Sequence, residues 1–142
     1  MNRLDIADLI IDKLTEQTET IKTMYDDSVS HIGHFYIDNF LLVDLATSIY
    51  NAFPHYNDMM LVGGKYNLRE YKYVTAQMNN HDPLLEETIF VFQDPRILSL
   101  VKHICGIESL YADENLYAGG ISLMHQGQFL NPHFRQFTRK RP

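Results

Sequence analysis

The sequence predicts an α+β chain, and three observations carry that prediction. Apolar residues recur at helical spacing through the first 24 residues. Two Asp-Pro pairs, Asp82-Pro83 and Asp94-Pro95, open further helical patterns. From Leu116 the texture changes to β-branched and aromatic residues broken by glycines. With 142 residues the chain holds about one domain's worth of core. Its 45% hydrophobic and 21% charged content excludes a disordered, collagenous or low-complexity chain. No internal repeat and no Pro/Gly/Ser-rich linker divides it, so it reads as one structural unit.

The first element is a helix over Asp5–Met24, within an N-terminal helical segment of residues 1–30. Leu4, Ile6, Leu9, Ile10, Leu14, Ile21 and Met24 fall mostly on one face, and the pattern weakens between Leu14 and Ile21. The aromatic and β-branched run His31–Phe40 reads as a strand closed by Asp38-Asn39. A helix over Val43–Ala52 follows and stops at Phe53-Pro54, where the proline forces the preceding residue out of helical geometry. Met59–Tyr66 reads as loop or edge strand around Gly63-Gly64, and Tyr71–Met78 as a strand. Helices over Leu84–Phe92 and Arg96–Cys105 follow, the second capped by Gly106. Leu116–His125 reads as a strand with a bulge or close approach at Gly119-Gly120. Gln126-Gly127 is a turn, and Gln128–Phe134 begins another strand.

A single cysteine, Cys105, excludes a disulfide framework or a Cys-rich zinc module, and it reads as a small buried hydrophobe. No apolar run approaches the ~18 residues of a membrane span. The acidic N-terminus lacks the features of a signal peptide, so the expectation is a cytoplasmic protein with no membrane partner. Residues 1–134 carry 8 basic and 18 acidic side chains, a net of −10, which disfavours nucleic acid as a partner. The last eight residues, RQFTRKRP, reverse that balance with four basic residues and no acid.

Seven histidines are the main candidates for chemistry. His31 and His34, three apart on a strand, would face opposite ways and suit one metal poorly. His55, His81 and His103 have no paired ligand spacing and read as surface or satisfied histidines. His125 and His133 flank the short segment HQGQFLNPH. As a hairpin it can fold both imidazoles toward one cavity; two partly exposed strand histidines are the other reading. Phosphate-loop, nucleophile-elbow and H-E-x-x-H motifs do not occur.

The run Tyr117–Phe134, YAGGISLMHQGQFLNPHF, resembles the approach to the iron-binding motif of the Fe(II)/2-oxoglutarate dioxygenases, in the prolyl-hydroxylase-like branch. Ile37–Phe40 (IDNF), Ala52–Pro54 (AFP) and Asp94–Gly106 (DPRILSLVKHICG) extend the resemblance back to about His31. It implies that residues 31–134 are the N-terminal part of an oxygenase domain, with support helices packed on the first strands of an incomplete double-stranded β-helix, or jelly roll. A complete jelly roll has about eight strands. It also implies that His133 is the first iron ligand. His125 lies near the place of a 2-oxoglutarate-contacting tyrosine, in a loop about one residue shorter. Gln128 and Asn131 stand either as supporting groups for that cofactor or as polar caps of the hairpin.

The implied chemistry needs two histidines and a carboxylate on one face of the iron, leaving positions for 2-oxoglutarate and dioxygen. The carboxylate belongs two residues after the first histidine, on the same side of an extended segment. This chain has Arg135 there, a cation that cannot bind Fe(II). A one-base shift in reading frame accounts for the break. One allowed set of codons for RQFTRKRP, read from its second base, encodes DNSHEKD and restores His-x-Asp. Residues 135–142 are therefore expected to be an aberrant basic tail outside the packed fold. The expected chain is an oxygenase fragment that binds neither Fe(II) nor 2-oxoglutarate stably. The alternative is a non-catalytic interaction protein, or one half of a split protein, completed by a homodimer contact or a partner strand at an exposed sheet edge.

Overall fold

The computed structural model describes residues 1–116 and 119–132. Five α-helices and four strands are present among them: α1 (Arg3–Glu16), α2 (Thr18–Ser28), α3 (Val43–Ala52), β1 (Met60–Gly63), β2 (Glu70–Thr75), α4 (Pro83–Val91), α5 (Pro95–Cys105), β3 (Ile121–Leu123) and β4 (Phe129–Leu130). Short 3₁₀ turns occupy Tyr56–Asp58 and Met78–Asn80. The fold is α+β with an antiparallel sheet. None of the helices among the described residues is long and apolar enough to cross a membrane.

The chain divides into two compact units. Among the described residues, a helical unit comprises Met1–Phe53 and the chain from Gln77 to Gly119, and a sheet unit comprises Pro54–Ala76 and 120–132. In the helical unit, Ile6, Ala7, Ile10 and Leu14 of α1 form one buried cluster with Ile21, Leu45, Val91, Ile97 and Ile104. The expected stripe holds at Ile6, Ile10, Leu14 and Ile21, whereas Leu4 is 65% exposed and Leu9 and Met24 are only partly buried.

The single N-terminal helix expected over Asp5–Met24 is two helices instead. Gln17 leaves helical geometry (φ −107°), and the Thr18 hydroxyl donates to the Leu14 carbonyl at 2.8 Å. The break falls in Thr15–Thr20, a stretch without an apolar residue, whose threonine hydroxyls compete for backbone partners. A capping box opens α1 at Asn2: its side chain accepts from the Asp5 N–H, and the Asp5 carboxylate accepts from the Asn2 N–H, both at 3.0 Å.

The strand expected over His31–Phe40 is also absent. The segment is extended, and its alternation is real: Phe35 and Ile37 turn inward while His34, Tyr36 and Asp38 are exposed. Its inward side chains pack on the helical core, and no ladder forms along the segment. Asn39, in the left-handed region at φ 52°, ends it.

The Asp-Pro signals hold. Asp82 caps α4 by accepting from the Leu84 N–H, and Asp94 caps α5 by accepting from the Arg96 N–H, both at 2.8 Å. Gly106 closes α5 with φ 62°. Arg96 also pairs with Asp94 at 2.8 Å and with Asp8 at 2.7 Å, which fastens α5 to α1. The hydrogen bonds from Arg96 are the main reason the Asp94 carboxyl lies below the usual carboxylate range.

In the sheet unit β2 is central. β1 pairs with it antiparallel from Met60↔Val74 to Gly63↔Tyr71, so Met59–Tyr66 does contain the edge strand. The strand expected over Tyr71–Met78 ends sooner, at Thr75. The one expected over Leu116–His125 contracts to Ile121–Leu123. Gly120 explains where it begins: at φ 126°, a Cβ there would lie 2.6 Å from the Thr75 carbonyl oxygen.

Candidate functional site

The sheet register places His125. β3 pairs with β2 through Tyr73↔Leu123 to Thr75↔Ile121, and β4 through Glu70↔Leu130 and Tyr71↔Phe129. Both are antiparallel to β2, on the edge opposite β1, so the chain does not reverse between them. The hairpin expected around Gln126-Gly127 is instead a bulged excursion in one interrupted strand. Five residues, Met124–Gln128, leave the ladder opposite Lys72. The turn itself is as expected, with Gly127 at φ 83°. The Gln128 N–H donates to the His125 carbonyl at 3.0 Å, and the His125 N–H donates to Gln128 Oε1 at 2.8 Å.

The excursion puts the His125 ring edge-on to two tyrosines. Its centroid lies 5.3 Å from Tyr56 and 5.7 Å from Tyr73, at 85° and 80°. Tyr56 and Tyr73 are 5.5 Å apart, and His55 lies against Tyr56 at 4.2 Å. Edge-to-face contacts of this kind direct the positive rim of one ring at the negative face of another. Four residues from three segments thus form one aromatic cluster, with His55 Nδ1 accepting from the Asn57 N–H at 3.3 Å. Imidazole nitrogens and phenol hydroxyls are hydrogen-bonding groups, and the cluster gathers four of these side chains in one place.

The other expected site residues are placed differently. Gln128 spends its side-chain oxygen on the excursion. Asn131 anchors the β1–β2 loop: its N–H donates to the Arg69 carbonyl at 2.9 Å and its Nδ2 to the Leu68 carbonyl at 2.8 Å. Both side chains therefore act as polar clamps on backbone. His133 and Arg135 lie outside the described residues. Among the described residues no three His, Cys, Asp or Glu side chains gather as a metal site. His34 Nδ1 pairs instead with the Ile32 carbonyl at 2.8 Å. Cys105 is half-buried, and burial pushes its thiol up in pKa, away from nucleophilic use.

Sequence reading missed Tyr56 and Tyr73 as partners of His125. A signal for Tyr73 was present, because Tyr71, Tyr73 and Thr75 alternate on one face of β2. Tyr56 follows Pro54-His55 and carries no comparable pattern.

Comparison with protein-family models, curated proteins and solved structures yields no match to this chain.

Proposed function

We propose that residues 31–134 are the N-terminal part of an Fe(II)/2-oxoglutarate-dependent oxygenase domain of the prolyl-hydroxylase-like kind, built on the first strands of a jelly roll. The substrate class of such a domain is a peptide or small molecule hydroxylated at a C–H bond. The observation that carries the reading is the run LMHQGQFLNPHF at Leu123–Phe134, whose His125 stands in an aromatic cluster beside a central antiparallel strand. The cytoplasm is the proposed compartment.

The donor set written into these 142 residues does not fit Fe(II). His133 is followed at the second position by Arg135, whose guanidinium repels a cation and has no lone pair to give it. No reaction step is therefore assigned to the iron. For 2-oxoglutarate, His125 with Tyr73 and Tyr56 offers donors, while Gln128 and Asn131 are committed to backbone. The 142-residue chain is expected to show no 2-oxoglutarate-dependent oxygen uptake with Fe(II) and ascorbate. Arg135→Asp is expected to strengthen Co(II) binding by about tenfold or more, because a second ligand joins His133. Turnover by the unaltered chain, or no gain from Arg135→Asp, would count against the proposal.

One observation favours a second reading, a non-catalytic interaction protein or split half. β1 pairs on one side only among the described residues, and Met60 and Leu61 on it are 65% and 48% exposed. An uncharged, exposed edge is a template for an added strand. Backbone amides of Met60–Gly63 that exchange rapidly in the isolated chain, and become protected when a partner is added, would support it.

A further inference from the structure

The β1–β2 loop, Gly64–Arg69, displays its apolar side chains instead of hiding them. Leu68 is 92% exposed and Tyr66 90%, yet the loop is closely tied. The Asn67 N–H donates to the Gly64 carbonyl at 2.9 Å. Asn67 Oδ1 accepts from the N–H groups of Arg69 (2.7 Å) and Glu70 (3.0 Å). Asn131 clamps the Leu68 and Arg69 carbonyls from β4's end. A loop held by five hydrogen bonds, with a leucine at its tip and Lys65 and Arg69 beside it, is a preorganised knob. Nothing in local folding requires Leu68 to be apolar.

The helical unit holds a hole of matching chemistry. Leu9, Phe40, Leu42 and Leu45 line a cavity of about 180 Å³ between α1 and the segment leading into α3. That is below the ~300 Å³ of small-molecule pockets and of the order of one large side chain. Asp12 and Glu16 stand at its rim. Lys13 answers Glu16 at 3.6 Å, and Asp12 has no ion-pair partner among the described residues. The helical unit as a whole carries 16 acidic and 5 basic side chains, a net of −11. The described part of the sheet unit carries 2 acidic and 3 basic, a net of +1.

We propose that the chain self-associates by seating the Leu68 knob of one copy in the Leu9/Phe40/Leu42/Leu45 cavity of a second copy, with Lys65 and Arg69 meeting the Asp12/Glu16 rim. Apolar knob and apolar hole, cationic flank and acidic rim are complementary within one sequence, so a second copy supplies both halves of the contact. The inference does not depend on the oxygenase reading: Asn131 and Phe40 enter it only as a backbone clamp and as apolar lining, not in any cofactor or metal role.

Sedimentation velocity over a concentration series tests it. The expected result is a mass that rises with concentration, with a Kd on the order of 10–100 μM. Added salt should weaken the association, and Leu68→Asp should weaken it by about tenfold or more. Asp12→Lys and Arg69→Asp should each weaken it, and the two together should restore part of the loss. Leu68 is exposed, so Leu68→Asp should leave the circular dichroism and melting temperature unchanged, which separates lost association from lost folding. Three results would overturn the proposal: a chain monomeric throughout, association indifferent to Leu68→Asp, or a monomer whose Leu68 instead drives binding to phosphatidylserine vesicles.

Discussion

The helical and sheet units differ in how far each completes itself. In the helical unit nine residues form one buried cluster, and both Asp-Pro helices begin on satisfied caps. In the described sheet unit the buried apolar side chains are Met59 and Ile121, while Met60, Leu61, Leu68, Met124 and Leu130 are exposed. A helix satisfies its own backbone and needs only one covered stripe; an open sheet leaves unpaired backbone groups at its edges and needs a cover on each apolar face. The helical unit carries most of the acid of the chain as well, 16 of its 18 acidic side chains. The lesson is that, among the described residues, the buried apolar side chains gather on the helices while the strands carry most of theirs exposed.

That contrast is easiest to break by emptying the helical core. Ile10→Ala, at a site 1% exposed, is expected to cost about 2–5 kcal/mol in urea unfolding. Leu61→Ala on β1 should cost less than about 1 kcal/mol by the same assay. Equal losses at the two sites would mean that the sheet has a core after all.

Gly120→Val sharpens the comparison within the sheet. The left-handed backbone and the 2.6 Å approach to Thr75 oxygen should make it cost about 2 kcal/mol. Hydrogen exchange should localise the effect to Ile121–Leu123, with α1 and α5 amides unaffected.

Asp94→Asn tests the electrostatic fastening of the helical unit and should cost about 1 kcal/mol at neutral pH. The Asp94 carboxyl is lowered in the fold, so its stabilisation is fully present above the ordinary carboxylate value of about 3.9. It is lost as pH falls through the lower folded-state value. The unaltered chain should therefore lose stability more steeply than Asp94→Asn below about pH 4. Parallel acid-unfolding curves would count against the Arg96 contact as the cause.

What was legible in the sequence follows from how local each cause is. Asp82-Pro83, Asp94-Pro95 and Gly106 act through bonds within one helical turn, and they mark α4 and α5 to within a residue. The spacing of Ile6, Ile10 and Leu14 is equally local. His31–Phe40 shows the opposite case: alternation specifies an extended segment, but whether a strand or a helical surface covers it depends on distant residues. The excursion at Met124–Gln128 was illegible for the same reason, because only the register of β2 shows that five residues face Lys72. His125 is singled out in the sequence by its motif, whereas Tyr56 and Tyr73 join it through tertiary pairing alone.

The smallest expected effect concerns residues 135–142, which lie outside the described residues. Their four cations and single large hydrophobe, Phe137, give them little to bury. Deleting them should shift the melting temperature by no more than about 2–3 °C, less than roughly 1 kcal/mol. A larger loss would make the tail part of the sheet unit and remove the argument for a break after Phe134.

The oxygenase proposal turns on the residue two places after His133, where a carboxylate ligand would stand and Arg135 does. The most direct measurement is the nucleotide sequence of the transcript from the Phe134 codon onward. The account predicts that a frame shifted by one base encodes aspartate in place of Arg135 and, further on, a second histidine. If neither alternative frame encodes aspartate at that position, the account is contradicted and Arg135 is the residue this protein is meant to have.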